Sequence, residues 1–469
     1  MAQSNARGVI AEDYATLQGV PIIEAARLAY PLPPCSPASN RRAVLQAMEV
    51  GLINSADLFE RAAKDIADGQ YGRAAVKLSW LAGFQKVIET VSRIPSLLGN
   101  PDSKHSVTID DSPALESFLE KRNMFGQTLL SADQGKVINL ESAMATKSLE
   151  DPIYQIVKHT QHASQSASIW YRHLKRVGIE VSPPSYPEFV VTDKMKEVVF
   201  ALTLNGDTYF TQFRGLHQIP EILAREMNDH LVASTAAIQA GNLPKAKRGI
   251  SAVNILFTGM LASLEAITEN LAMSDYHEIR ENLGTTSGSH SKAIRDKLFT
   301  EHYNNLWHAV EHHIMGSSGE PGKYDKLVVT DRIKQIYQAA VGDNPNPQTV
   351  MDYELLEKCA EFRQNIIAWR DNHLNLPRNN LGNDAASLMG AQNAPESAHN
   401  MQRIAHAANR DFMAPLAEAR GDSTTLFAMK ETSNRSVRSL LDDELQRMGG
   451  KITQKRFPNV QDRAYGKSS

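Results

Sequence analysis

The sequence predicts an all-α protein, and three observations carry that prediction. Apolar residues recur at three- and four-residue steps in nearly every patterned segment. Period-two alternation is almost absent. Clusters of Pro, Gly, Asn and Ser separate stretches of helix length. The plainest stripe is Ile250, Val253, Phe257, Met260, Leu264 and Ile267, one buried face of a helix. A second joins Leu355, Cys359, Phe362, Ile366 and Trp369, and His373 continues it.

In chain order, helices are expected over 41–66, 70–95, 150–177, 221–239, 244–272, 290–313, 326–340, 350–376 and 398–420. Pro220 fits the first helical position and so puts the fourth start at about 221. Pro377 is expected to stop the eighth within about a turn. The nearest approach to a strand is 187–192. Breaks fall at 97–113, 181–188, 316–323 and 342–348, and the Pro-rich second one suggests a domain boundary. The expected organisation is an N-terminal helical domain over 1–185, a second helical domain over 186–420, and a C-terminal helix with a polar tail over 421–469. Residues 57–92 and 229–268 echo each other as helix, Gly-containing turn and helix, ending near Glu89 and Glu265 respectively; the second copy is one helical turn longer, so the sequence leaves open both a duplication and the generic αα-hairpin pattern.

Length and composition bound the function. A chain of 469 residues with 42% hydrophobic content has ample core material. No apolar run reads as long enough to span a bilayer, and the first residues lack the apolar core of a signal peptide. Two cysteines, Cys35 and Cys359, give neither a disulfide framework nor a thiolate metal cluster, so a cytoplasmic location is expected. A net charge of -3 argues against general nucleic-acid binding, and no membrane partner is expected. Nothing in the composition opposes a homo-oligomer.

Four clusters can carry chemistry. The first is Phe213-Arg-Gly-Leu-His217-Gln-Ile-Pro-Glu221. The second is Tyr276-His-Glu-Ile-Arg280, followed by Leu283-Gly-Thr-Thr-Ser287-Gly288. The third is the His-rich segment with His308-x-x-Glu311-His312, the form of an inverted zinc-hydrolase motif with a glutamate as general base. Its bland alternative is a solvated helix face. The fourth is Trp369-Arg370-Asp-Asn-His373, followed by a loop of small polar residues. An imidazole on an apolar stripe needs a partner, whether carboxylate, carbonyl or metal.

In order and spacing, the first, second and fourth clusters resemble tryptophan 2,3-dioxygenase and the wider heme-dependent aromatic oxygenases, across residues ~205–400. The resemblance implies a helical-bundle heme-binding domain carrying heme b, with an additional N-terminal helical domain. It makes His373 the axial iron ligand, within a Trp369, Arg370 and His373 segment that contacts the cofactor together with Ser287 and Gly288. It makes His217 the distal catalytic histidine. Phe213, Tyr276, Arg280 and Ser387 become the substrate contacts, Arg280 meeting a carboxylate and Ser387 an ammonium. Three features depart from the family pattern: Pro220 in the distal helix, Ser289-His290 after Ser-Gly, and the bulkier Ser387-Leu388-Met389 loop.

The implied reaction is insertion of O2 across the indole C2–C3 bond of L-tryptophan or a related indole, giving an N-formylkynurenine-type product. The alternative on the same site is monooxygenation or ring rearrangement of another aromatic amino acid. Two readings from other classes are a zinc hydrolase and a helical interaction module without heme.

Overall fold

The computed structural model describes residues 19–29, 31–98, 111–135, 137–175, 188, 190–200, 209–276, 279, 291–316, 319–320, 322–340, 345–381 and 413–420. Among these there is no strand, and the all-α class holds. The first half comprises α1 (Val20–Ala29), α2 (Pro37–Ala67), α3 (Tyr71–Ser92), the single turn α4 (Ile94–Leu97), α5 (Pro113–Gln134), α6 (Leu140–Thr146) and α7 (Pro152–Lys175). The second comprises α8 (Thr192–Phe200), α9 (Tyr209–Gln239), α10 (Leu243–Asn270), a π-helix (Lys292–Glu301), α11 (His302–Ile314), α12 (Lys326–Ala340) and α13 (Pro347–Leu381).

The long helices start where side chains satisfy their first amides. Ser36 Oγ accepts from Ser39 N at 3.1 Å, and Pro37 takes the first helical position, where its missing N–H costs nothing. Ser112 and Pro113 repeat the device at α5, the Oγ accepting from Leu115 N at 3.0 Å. At α10, Asn242 Oδ1 accepts from Lys245 N at 3.1 Å.

The echo between the halves becomes a structural repeat. Helix starts pair at one offset of 172 residues: 20 with 192, 37 with 209, and 71 with 243. Helices α2 and α9 are both 31 residues long. Their ends close with the same bonds. Gly69 N donates to Ile66 O and Gln70 N to Asp65 O; Gly241 N donates to Ile238 O and Asn242 N to Ala237 O. Gly69 and Gly241 sit at φ +70° and +72°, a left-handed conformation that glycine adopts at least cost. Helix α2 packs on α9, and α3 on α10. A further helix covers each hairpin, α7 on α3 and α13 on α10. Trp170 meets Phe118 at 6.4 Å and 58°, and Trp369 meets Phe299 at 6.5 Å and 60°. Side chains of both halves contribute to one continuous core.

Several expectations are corrected. Helix α9 begins at Tyr209, twelve residues before the start inferred from Pro220, which lies inside the helix. Residues Phe210 to Ile219 are all buried, and that burial outweighs a proline cost of roughly 3 kcal/mol. Helix α13 likewise passes Pro377 to reach Leu381, with Leu376 and Asn380 buried and Asn380 Nδ2 donating to Leu376 O at 2.8 Å. The segment nearest to a strand pattern in sequence leads into α8, in keeping with the all-α class. The helix expected over 290–313 divides into a π-helix and α11. Helices α1, α5, α6 and α8 have no counterpart among the sequence expectations. Helix α10 is long and apolar enough to cross a membrane, contrary to the sequence reading, but 72% of the qualifying window is buried in the protein. Of the expected helix at 398–420, only 413–420 lies within the described residues.

Candidate functional site

Helix α9 brings Phe213 and His217 to one face, four residues apart. Both are buried, and their rings lie 4.3 Å apart at 42°. His217 Nδ1 lies 2.8 Å from Phe213 O, a carbonyl that can only accept. The proton therefore sits on Nδ1, and Nε2 carries a lone pair. Burial pushes the His217 pKa down to about 4; the Phe213 carbonyl opposes this, and the charge of His373 adds to it. His217 and His373, 156 residues apart in sequence, are thus within electrostatic reach of each other.

His373 stands on α13, where Leu355, Cys359, Phe362, Ile366 and Trp369 are buried along the expected stripe. It keeps some surface exposed, yet burial holds its pKa below the usual histidine range. The imidazole is therefore neutral near pH 7. Among the described residues, none hydrogen-bonds to its ring. Trp369, one helical turn earlier, stacks nearly parallel to it at 6.4 Å and 9°. The Arg370 guanidinium lies 5.6 Å over the Phe299 ring.

Phe299 is the wall residue that sequence reading missed. It sits on the π-helix between Trp369 and Phe257, and Phe257 in turn meets Phe362. A π-helix shifts side chains off the 3.6-residue register, so periodicity does not reveal this contact. Arg214 was also missed. Fully buried on α9, it donates to Val198 O and Val199 O at 3.4 Å, while Gln218 Nε2 donates to Val198 O at 2.9 Å. These bonds tie the His217 helix to the end of α8. Burial lowers the Arg214 pKa to about 10, so the guanidinium stays charged.

Of the other expected site residues, Tyr276 is half-buried just beyond α10, its amide donating to Ala272 O at 2.9 Å. Arg280, Ser287, Gly288 and Ser387 lie outside the described residues. The zinc-type motif has no assembled centre, since no group of three metal-ligating side chains occurs among the described residues. His312 Nδ1 lies 2.9 Å from the Tyr324 hydroxyl, and the His308 ring covers Gly322. His313 pairs with Asp352 instead, at 2.9 Å.

Fold and site together define an all-α protein in which two neutral imidazoles on two long helices lie within electrostatic reach of each other, His373 beside the cluster of Trp369 and Phe299. Compared with known proteins, the chain matches no family model, no curated protein and no solved structure.

Proposed function

We propose that the second half binds heme b through His373 and acts as an oxygenase on L-tryptophan or a related indole. The observation behind this reading is that His217 and His373 lie within electrostatic reach of each other. Both imidazoles are neutral, and a neutral imidazole nitrogen such as that of His373 is the ligand that a heme iron would take. The residues present fit the group. His373 offers a ring without a hydrogen bond from any described residue, and Trp369 fixes its plane by stacking. The resemblance of the flanking motifs to heme-dependent aromatic oxygenases points the same way.

When bound, heme would supply the activation of dioxygen. The chain's own contribution is positioning. With its proton held on Nδ1 by Phe213 O, His217 Nε2 can accept a hydrogen bond from an indole N–H. It has no second proton to give near pH 7, because burial lowers its pKa to about 4 and leaves the ring neutral. Phe213 and Phe299 supply apolar surface that excludes water. Arg280, where the resemblance holds, would meet the substrate carboxylate.

Absorption spectroscopy of the purified full-length protein tests this. A Soret band that shifts on reduction and on CO binding is expected, and His373→Ala should abolish it. His217→Ala should keep the band and lose turnover of L-tryptophan, measured as kynurenine-type absorbance. A protein that takes up no heme on reconstitution overturns the proposal. Heme uptake with tryptophan untouched would move the substrate to another aromatic amino acid.

A further inference from the structure

Where α9 crosses the start of α2, the hydrogen bonds call for a proton on a carboxyl. Glu226 Oε1 lies 2.7 Å from Ser39 Oγ, and both residues are buried. The same Oγ lies 3.0 Å from Ser36 O, the residue that caps α2. A serine hydroxyl has one proton, and a backbone carbonyl can only accept. Both contacts are therefore hydrogen bonds at once only when Glu226 carries a proton. Its carboxyl then donates to Ser39 Oγ, and Ser39 donates to Ser36 O. An ionised Glu226 draws the Ser39 proton to itself and leaves the bond to the cap unmade. The equivalent crossing needs no such proton. Counting back 172 residues replaces Glu226 by Asn54, which is neutral at every pH. Asn54 packs against Gly215, and Ala43, the equivalent of Gly215, lines a small cavity with Glu226.

The charges around Glu226 give its proton a consequence. His230 does not supply a cation. Its Nε2 lies 2.7 Å from Asn40 Oδ1 and 3.9 Å from Glu226 Oε1, and burial holds its pKa down at about 4. Asp229 on α9 repels a charge on Glu226, while Arg27 on α1 and Arg42 on α2 attract it. Arg225 lines the same cavity of about 20 Å³, room for a single water. Two of these arginines fasten α1 to α9, Arg27 pairing with Asp229 and Arg225 with Glu24. Arg225 also holds Glu221, at 2.9 Å. Cys35, just before α2, stays a thiol, since burial, Glu226 and Asp229 push it up to about 12. Lys245 of α10 faces Cys35, and His302 of α11 faces Asp229. Burial pushes Glu226 itself up to about 7, and the Ser39 hydroxyl opposes this.

We propose that Glu226 is a proton-operated latch, which when protonated ties α9 to the cap of α2 and when ionised competes for Arg27 and Arg225 and loosens α1. The latch does not rest on heme or on the His217 and His373 pair. Its sign follows from a carboxyl raised in the closed state. The hold on α1 is complete below about pH 4.5 and is lost as pH rises towards 7. Hydrogen exchange of the full chain, corrected for its intrinsic pH dependence, reads the opening of residues 20–29. That opening should increase about tenfold from pH 5.5 to 7.5. Glu226→Gln places an amide N–H where the carboxyl proton was and should abolish the increase. Infrared spectra of the unaltered chain give a second measurement. A protonated-carboxyl stretch that is missing from Glu226→Gln should be present at pH 5.5 and fade with a midpoint near 7. A melting curve at pH 5.5 establishes that the variant is folded. If it is not, the exchange and infrared titrations of the unaltered chain decide. Opening of 20–29 that ignores pH overturns the proposal. So does the same increase in Glu226→Gln, or a Glu226 already ionised at pH 5.5.

Discussion

The first and second halves are built on one plan and differ in what their long helices bury. Counting back 172 residues from His217 reaches Leu45, and from His230 reaches Leu58, both fully buried. Arg42, Gln46, Glu49 and Asp57 keep their identities as Arg214, Gln218, Glu221 and Asp229. The shared residues therefore belong to the scaffold, and the imidazoles are specific to one copy. Gln46 shows the scaffold role, since its Nε2 donates to Val190 O at 3.0 Å just before α8, as Gln218 grips Val198 at the end of that helix. The lesson is that both hairpins bury a common polar scaffold, and that the long helix of the second adds two buried imidazoles, His217 and His230, to it.

The largest expected difference lies in the aromatic pairs. Phe118 is buried against Phe59 and Trp170, a setting without polar neighbours in the ring cluster. Phe118→Ala should cost about 3–5 kcal/mol, the usual range for a fully buried phenylalanine. Phe299 is more exposed and borders the imidazole site, so Phe299→Ala should cost less stability and change function more. Denaturant unfolding of both variants measures this. Equal losses would mean that the second half is packed as tightly as the first.

The next test exchanges the residues that distinguish the copies. His217 has a pKa of about 4 in the fold against 6.5 as its ordinary value. Its depressed pKa means that its contribution to stability is complete above pH 6.5 and is lost as pH falls towards 4. That contribution is worth roughly 3 kcal/mol across the whole window. His230, pushed down to about 4 by burial, works in the same direction. Glu226 works oppositely: burial raises it from 4.5 to about 7, so its contribution declines as pH rises through that range. Both remain in His217→Leu and cancel in the difference. That variant should therefore lose one proton's worth of acid sensitivity between pH 6.5 and 4, without losing stability at pH 7. Leu45→His should do the reverse, costing about 1–3 kcal/mol at pH 7 because a buried ring nitrogen lacks a partner. Thermal melting against pH decides both. An unchanged slope in His217→Leu would show that His217 is not buried in solution.

The contrast between halves also explains what was legible in the sequence. Ile250 to Ile267 and Leu355 to Trp369 were legible because a face buried against one neighbour leaves a strict period. Helix α5 was not, since Leu119 and Leu130 are substantially exposed on its outer side and blur the pattern. The start of α9 was hidden because its first turns are buried on every side, which leaves no polar face to mark a helix. Phe213 and His217 read as one helical face, but nothing local tells that His373 approaches from 156 residues away. That long-range pairing came only from the motif resemblance. Phe299 escaped both routes, through the change of register in the π-helix.

The smallest expected effect is also the most direct test that the two halves are equivalent. Gly69 and Gly241 both hold left-handed turns, and a Cβ at either would meet nothing within 4 Å. An alanine there pays only the backbone term, about 1 kcal/mol, with no steric contribution from neighbours. Gly69→Ala and Gly241→Ala should therefore destabilise by the same amount, and the double variant by the sum, since the sites share no partner. Chemical denaturation measures all three. A cost at Gly241 well above that at Gly69 would mean that the turn beside the imidazole half carries strain its counterpart does not. The repeat would then be one of path alone, because the hydrogen bonds that close both turns are the same.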